Sequence, residues 1–309
     1  MIHLVKILVF FLVSSCFAQI EIAEEEITIF NDSIRLPGTL SYPQDVKNPP
    51  LVIFVHGSGQ SNRNGTPLGS PVSFNYIKEF GEALNNERVA VFRYDKRSST
   101  TSNYQFSKDT KIADLAADLS VIIEHFKKDK RFETITVIGH SQGSLLGMIT
   151  ETKPDKFVSL AGAGETIDKT IIRQVGSQSP VFGEMTKQYI AELKEKGTVK
   201  NVNPMLRTLF NDKGNAFLRD WIAYDPTEEI QKLSIPVLII QGEMDSQVQV
   251  EDAENLKEAK PDAELRIIPT LNHLLYDVKN TEENQRTYTG ASFPISQEMI
   301  LTIKEFINK

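Results

Sequence analysis

Ile135-Thr136-Val137-Ile138-Gly139-His140-Ser141-Gln142-Gly143-Ser144-Leu145-Leu146 is the stretch whose reading decides the fold. The run at 135–138 is strand-like, and Ser144 to Thr150 is compatible with a helix. Between them stands G-x-S-x-G, Gly139 to Gly143. Small residues two places before and after the serine let strand and helix approach closely. Ser141 is therefore expected on a sharp, strained turn with its hydroxyl clear of the sheet. A helix starting there aims unpaired N–H groups and a positive dipole end at whatever the serine attacks. The competing reading is a glycine-rich strand-to-helix loop with an idle serine, and the rest of the chain has to separate the two.

Working outward, the flanking segments repeat the strand–helix alternation. Residues 26–31 and 36–41 are β-prone and joined by Asp32-Ser33, an opening hairpin. Leu51-Val52-Ile53-Phe54-Val55 is a continuous apolar run, as in a strand buried on both faces, and ends in His56-Gly57-Ser58-Gly59. A polar loop follows to about Pro71, then a helical pattern from Phe74 to Leu84 and a strand from Val89 to Tyr94. Ile112, Leu115, Leu119, Ile122 and Phe126 mark an amphipathic helix. After the serine turn come strands at 157–161, 236–240 and 265–268, and a last helix from Gln297 to Ile307. This alternation predicts an α/β fold with a mostly parallel sheet covered by helices on both faces. Residues 165–225 are helical in pattern without a strand and too long for one crossover. They are expected to form an insertion, a lid over the C-terminal edge of the sheet. Its apolar residues Ile171, Ile172, Val181, Phe182, Met205, Leu206, Leu209 and Phe217 hint at an apolar pocket, or at simple packing.

The totals are those of an ordinary globular chain: 309 residues, 40% hydrophobic, 24% charged, formal net charge -7. One large domain fits this length better than two small ones. The acidic balance and the lack of a long basic run argue against a nucleic-acid partner. At the N-terminus, Lys6, the apolar run Ile7–Val13 and the small-residue exit Ser14-Ser15-Cys16-Phe17-Ala18 read as an export signal cleaved after Ala18. The apolar run is too short for a bilayer span, which needs ~20 residues. Val13-Ser14-Ser15-Cys16 also resembles a loose lipobox, which would lipidate Cys16. The expected layout is a leader over 1–18 and one domain over 19–309, in a periplasmic or secreted protein. Cys16 is the only cysteine, so the domain has no internal disulfide, cysteine metal site or thiol nucleophile.

A serine hydroxyl needs a base to take its proton, usually a histidine oriented by a carboxylate. Of five histidines, His3 leaves with the leader, His56 belongs to the His-Gly-Ser-Gly loop, His125 lies on the amphipathic helix, and His140 on a tight turn should point elsewhere. His273, in Thr270-Leu271-Asn272-His273 just past the last strand, is left. The carboxylate should follow a strand between serine and histidine. Asp245 does so directly, with Glu243 and Asp225 as alternatives; Asp225 precedes a proline and looks like a helix cap. An attacked carbonyl also needs donors for its oxyanion. These are expected to be the N–H of Gln142 and that of Ser58, or of Gly59 one residue on. A phosphate-loop reading of His-Gly-Ser-Gly fails because no Lys-Ser/Thr pair follows the glycines.

In order and kind, His56-Gly57-Ser58-Gly59, Arg93-Tyr94-Asp95-Lys96-Arg97, Gly139–Gly143, Gly242-Glu243-Met244-Asp245 and Asn272-His273 resemble the α/β-hydrolase superfamily. Within it, the chain is similar to the secreted bacterial esterases of the serine-aminopeptidase-like branch, which carry a helical lid. The resemblance implies an eight-stranded sheet and a serine hydrolase in which Ser141 is nucleophile, Asp245 acid and His273 base. It implies a small-molecule acyl ester as substrate, or an amide cleaved by the same groups, with no metal or cofactor. A binding module that kept the fold and lost the chemistry is the contrasting expectation. Two departures stand out. Relatives often carry an aspartate-rich stretch where this chain has Asn62-Arg63-Asn64-Gly65, and a glycine where it has Ser98-Ser99. Acyl length, leaving group and oligomeric state are not written in these residues.

Overall fold

The computed structural model describes residues 20–106 and 109–309; the expected leader and Cys16 lie outside them. Eight strands form one sheet in the order β1-β2-β4-β3-β5-β6-β7-β8. The hairpin of β1 (Ile22–Asn31) and β2 (Ile34–Pro43) opens the chain, and β2 is antiparallel to β4 (Ala90–Tyr94). From β4 onward the pairs are parallel: β3 (Leu51–Val55), β5 (Ile135–His140), β6 (Lys156–Leu160), β7 (Val237–Gly242) and β8 (Glu264–Ile268). The hairpin strands run four and two residues beyond the expected ends because a paired edge keeps its ladder while the side chains are already half exposed.

Burial on both faces explains the continuous apolar runs. In β3, Leu51, Ile53 and Val55 enter one core while Val52 and Phe54 enter the other, the period of two that a pleated strand imposes. α1 (Tyr76–Asn86) and α10 (Gln297–Asn308), which follows the short α9 (Thr281–Thr287), cover the second face. α2 (Ile112–Lys127), α3 (Gln142–Ile149) and, much later in the chain, α8 (Val250–Ala259) cover the first. The sequence pattern did not mark α8, whose run Val250-Glu251-Asp252-Ala253-Glu254-Asn255 buries only a narrow stripe, Asp252, Ala253 and Leu256. The pattern from Phe74 begins its helix at Tyr76, since the Phe74 backbone is held by the Thr66 hydroxyl instead.

Between β6 and β7 lies the helical insertion: α4 (Ile167–Gln178), α5 (Pro180–Lys196), α6 (Asp212–Ile222) and the short α7 (Pro226–Gln231). It has its own small core around Ile171, Ile190, Leu193, Leu206, Phe210 and Leu218. Gly176 and Gly183 let α4 and α5 pack backbone to backbone; a Cβ on Gly183 would sit 2.6 Å from the Gly176 Cα. Asp220 ties the insertion to the main body by accepting the Ile112 N–H at 2.7 Å, an otherwise orphaned donor at the start of α2. Among the described residues no helix is long and apolar enough to cross a membrane.

Candidate active site

The strands of the parallel part end on one rim, and the loops that leave them carry the residues singled out above. Ser141 stands between β5 and α3 with φ 55° and ψ -120°. That conformation is costly for a residue with a Cβ and persists only where the surroundings enforce it. The enforcement is steric. A Cβ on Gly139 would fall 2.3 Å from the Gly143 carbonyl oxygen, and one on Gly143 would fall 2.0 Å from that of Val55. Strand, turn and helix thus meet at contacts only glycine permits. The Ser141 N–H is bonded to the Leu160 carbonyl at 2.9 Å, which anchors the turn to β6.

Asp245 lies just past β7 and His273 past β8, 28 residues apart in sequence. Both are buried, and His273 Nδ1 lies 2.7 Å from Asp245 Oδ2. The Asp245 carboxylate also accepts the N–H groups of Gln247 (2.7 Å) and Val248 (3.0 Å) and a side-chain N–H of Gln241 (3.3 Å). Burial alone would raise its pKa. The His273 imidazole and the two backbone donors outweigh that and hold it below the ordinary carboxylate value. An ionised carboxylate only accepts, so Nδ1 carries the hydrogen in this bond and Nε2 is the nitrogen turned away from Asp245. The other two carboxylates are placed differently. Asp225 caps α7 through the Thr227 N–H, as its sequence context suggested, and Glu243 is exposed.

His140 does not point away from the site. Its ring is buried with its centroid 4.8 Å from that of His273, and its Nε2–H donates to the His273 carbonyl at 2.9 Å. Burial and the neighbouring His273 push it down to about 3, so it stays neutral and serves as a fixed donor holding the His273 loop. Nothing in the sequence distinguished this from an idle turn residue, because the partner is a backbone atom 133 positions away.

Ser141 lines two cavities. One, about 340 Å³, is shared with His273, Tyr76, Phe74, Leu274 and Tyr288. The other, about 60 Å³, lies under the insertion, between Leu145, Ile167, Thr170, Trp221, Pro226 and Val248. Ser58 belongs to both, Gln142 to the smaller, and Gly59 to neither. Among the described residues the N–H groups of Ser58 and Gln142 find no acceptor. The apolar insertion residues expected at the pocket do not line it. Ile171 and Leu206 are spent in the insertion's own core, with Ile172, Phe182 and Leu209 packed against it. Phe217 packs on the main core, and Val181 and Met205 are exposed. Besides Trp221 and Pro226, the insertion reaches the cavity through Ile167, Thr170 and Gln174, spaced three and four along one face of α4.

The loop at Asn62–Gly65 also finds its place. Arg63 donates to Asp95 (2.8 Å) and Glu26 (2.7 Å), and Asn64 accepts from Arg93, so the loop is clamped to the end of β4 beside the larger cavity. Among the described residues no group of three or more His, Cys, Asp or Glu could hold a metal ion.

Known proteins resemble this chain in sequence and fold. Residues 40–259 match the BD-FAE family. The esterase EstD of Thermotoga maritima is 26% identical over 257 residues, 82% of this chain; the chain spans only 60% of that relative's length. Est1E of Butyrivibrio proteoclasticus superposes with a TM-score of 0.56 at 18% identity, over 92% of this chain and 99% of its own. An acylaminoacyl peptidase of Pyrococcus horikoshii reaches 0.57 at 13% identity, over 93% of this chain and 41% of its own. At such identities the structural likeness speaks for the fold alone, which is that of the α/β-hydrolases. With a match over most of its length, the chain belongs to the BD-FAE family.

Proposed function

We propose that the protein is a serine esterase that cleaves esters of small acyl groups through an acyl-enzyme. The observation that carries this is the buried Asp245–His273 pair opening on the same cavity as the strained Ser141. In this reading His273 Nε2 takes the Ser141 proton as Oγ bonds to the ester carbonyl carbon. The carbonyl oxygen becomes an oxyanion held by the N–H groups of Ser58 and Gln142. As the tetrahedral intermediate collapses, the C–O bond to the alcohol breaks and His273 gives its proton to the departing oxygen. Water then repeats the sequence on the acyl-enzyme, with His273 again as base and Ser141 as leaving group. Asp245 stabilises the imidazolium formed at each step.

The two cavities support an assignment of sides. The leaving oxygen must lie within reach of His273, so the alcohol occupies the larger, aromatic-lined cavity and the acyl group the smaller one. A cavity of ~150 Å³ takes benzene; one of about 60 Å³ suits a short aliphatic acyl group. The insertion, which supplies Ile167 and Trp221 to that cavity, acts as a lid that sets acyl length.

The test pairs a fluorophosphonate probe with p-nitrophenyl esters from acetate to octanoate, run beside aminoacyl anilides. Expected are labelling at Ser141, acetate or propionate preferred over hexanoate by roughly tenfold or more, and loss of up to ~10⁶ in turnover in Ser141→Ala. Folded protein that takes no label on Ser141 would point to a binding module. Labelled protein that prefers anilides would point to an amidase.

A further inference from the structure

We infer that Lys96 is a positioning residue that sets both oxyanion donors at once. The inference rests on the serine-hydrolase reading above.

Lys96 follows β4 in the Asp95-Lys96-Arg97 turn and is buried. Among the described residues no carboxylate pairs with it, unlike its neighbour Arg97, which is bonded to Asp118 at 2.7 Å. A lone buried ammonium is a cost to the fold, and burial pushes this one down to about 7. Its donors go to three acceptors: the Gly57 carbonyl at 2.6 Å, the Gln142 side-chain oxygen at 3.1 Å, and more distantly the His56 carbonyl at 3.5 Å. The other titratable groups that feel its charge, His56 and His140, are buried, and their pKa values are pushed down.

One of these acceptors, the Gly57 carbonyl, shares a peptide with the Ser58 N–H, and another is the side chain of Gln142. The Gly57 carbonyl and the Ser58 N–H are the two ends of one peptide. That peptide is trans, so they point in opposite directions. Drawing the oxygen inward toward Lys96 turns the Ser58 N–H outward, to the cavity that Ser58 shares with Ser141. Gly57 lies so near that a Cβ there would be 3.0 Å from the Ser141 Cβ. On the other side, the Gln142 side chain is pulled toward the same ammonium, which fixes the first residue of α3 and the direction of its free N–H. A charge on the carbonyl end also polarises the peptide, strengthening the N–H as a donor. One side chain thus fixes the spacing of two donors that come from loops 84 residues apart in sequence (Ser58 and Gln142).

The test compares wild type with Lys96→Met, which keeps the length and loses the donors. Expected is a fall in kcat on p-nitrophenyl acetate of about tenfold to a hundredfold. KM should be unchanged, and affinity for an aryl trifluoromethyl ketone, whose adduct carries an oxyanion, should fall in parallel. Since the buried charge is a burden, the melting temperature should not drop by more than a few degrees. Gln142→Met removes the acceptor on the helix side and keeps the N–H. It should lower kcat several-fold, and its effect should not add to that of Lys96→Met. Unchanged kcat in both variants, or kcat and KM failing together with a large loss of melting temperature, overturns the role. Wild type that takes no fluorophosphonate overturns the reading of the site and the role with it; labelled wild type with a fully active Lys96→Met overturns the role alone.

Discussion

Asp245 illustrates how much of a side chain's behaviour lies outside its own identity. A buried carboxyl should be neutral, yet this one is held ionised by an imidazole and two backbone N–H groups. Asp245→Asn keeps the shape and removes the charge. An asparagine can present its NH₂ to Nδ1 and stabilise the wrong tautomer. The variant should fold normally and lose about 10⁴ in kcat with little change in KM, read from steady-state ester hydrolysis. Retention of a tenth of the activity or more would separate Asp245 from the chemistry. Sequence order pointed to Asp245 over Asp225 and Glu243 because it follows a strand directly. In the structure the turn after β7 leaves two N–H groups converging on the Asp245 carboxylate.

The strand–turn–helix element β5–Ser141–α3 was legible as a motif because its demands are local. Only glycine tolerates a carbonyl oxygen where its Cβ would be, and two such positions flank the serine. Gly143→Ala would push α3 away from β3, since the clash is with the Val55 backbone and not with a flexible tip. A destabilisation of about 2–3 kcal/mol is expected, measured by urea unfolding, with kcat reduced because the Gln142 N–H moves with the helix. A variant as stable as wild type would show that the elements have room to part. The insertion was legible in outline but not in detail. Its helical periods were visible, but which stripe of α4 faces Ser141 depends on how α4 lies on the sheet. Counting apolar residues selected the stripe that packs on α5 and α6 and missed Ile167, Thr170 and Gln174.

At the scale of the whole molecule, three buried basic groups around the site, His56, His140 and Lys96, are linked to folding with one sign. His140 has a pKa of about 3 in the native state against 6.5 for a free imidazole, and burial pushes His56 well below its ordinary value too. Below about 6.5 the unfolded chain takes up protons that the native state refuses. Their contribution is fully present above 6.5 and is lost as pH falls from there towards 3. Lys96, at about 7 against 10.5, acts likewise in a higher window: the unfolded chain holds its proton where the native state has released it, so stability rises from pH 7 towards 10. These three groups should therefore make the unfolding free energy climb from pH 4 to pH 9, by up to ~1.4 kcal/mol per pH unit for each such proton, and the melting temperature with it. Lys96→Met should flatten the upper part of the climb and His140→Gln the lower. A maximum near pH 5 would contradict these shifts. By itself the sequence determined the strand order of appearance, the serine turn, the side chains to test and the helical character of the stretch between β6 and β7. Each follows from hydrophobic period, glycine sterics or position after a strand, which act over a few residues. Only the tertiary structure decided that His140 props the His273 loop, that Lys96 ties Gly57 to Gln142, and that Ser141 sits between a large and a small cavity. Those depend on backbone atoms and packing angles brought together from distant segments, for which no residue carries a local mark.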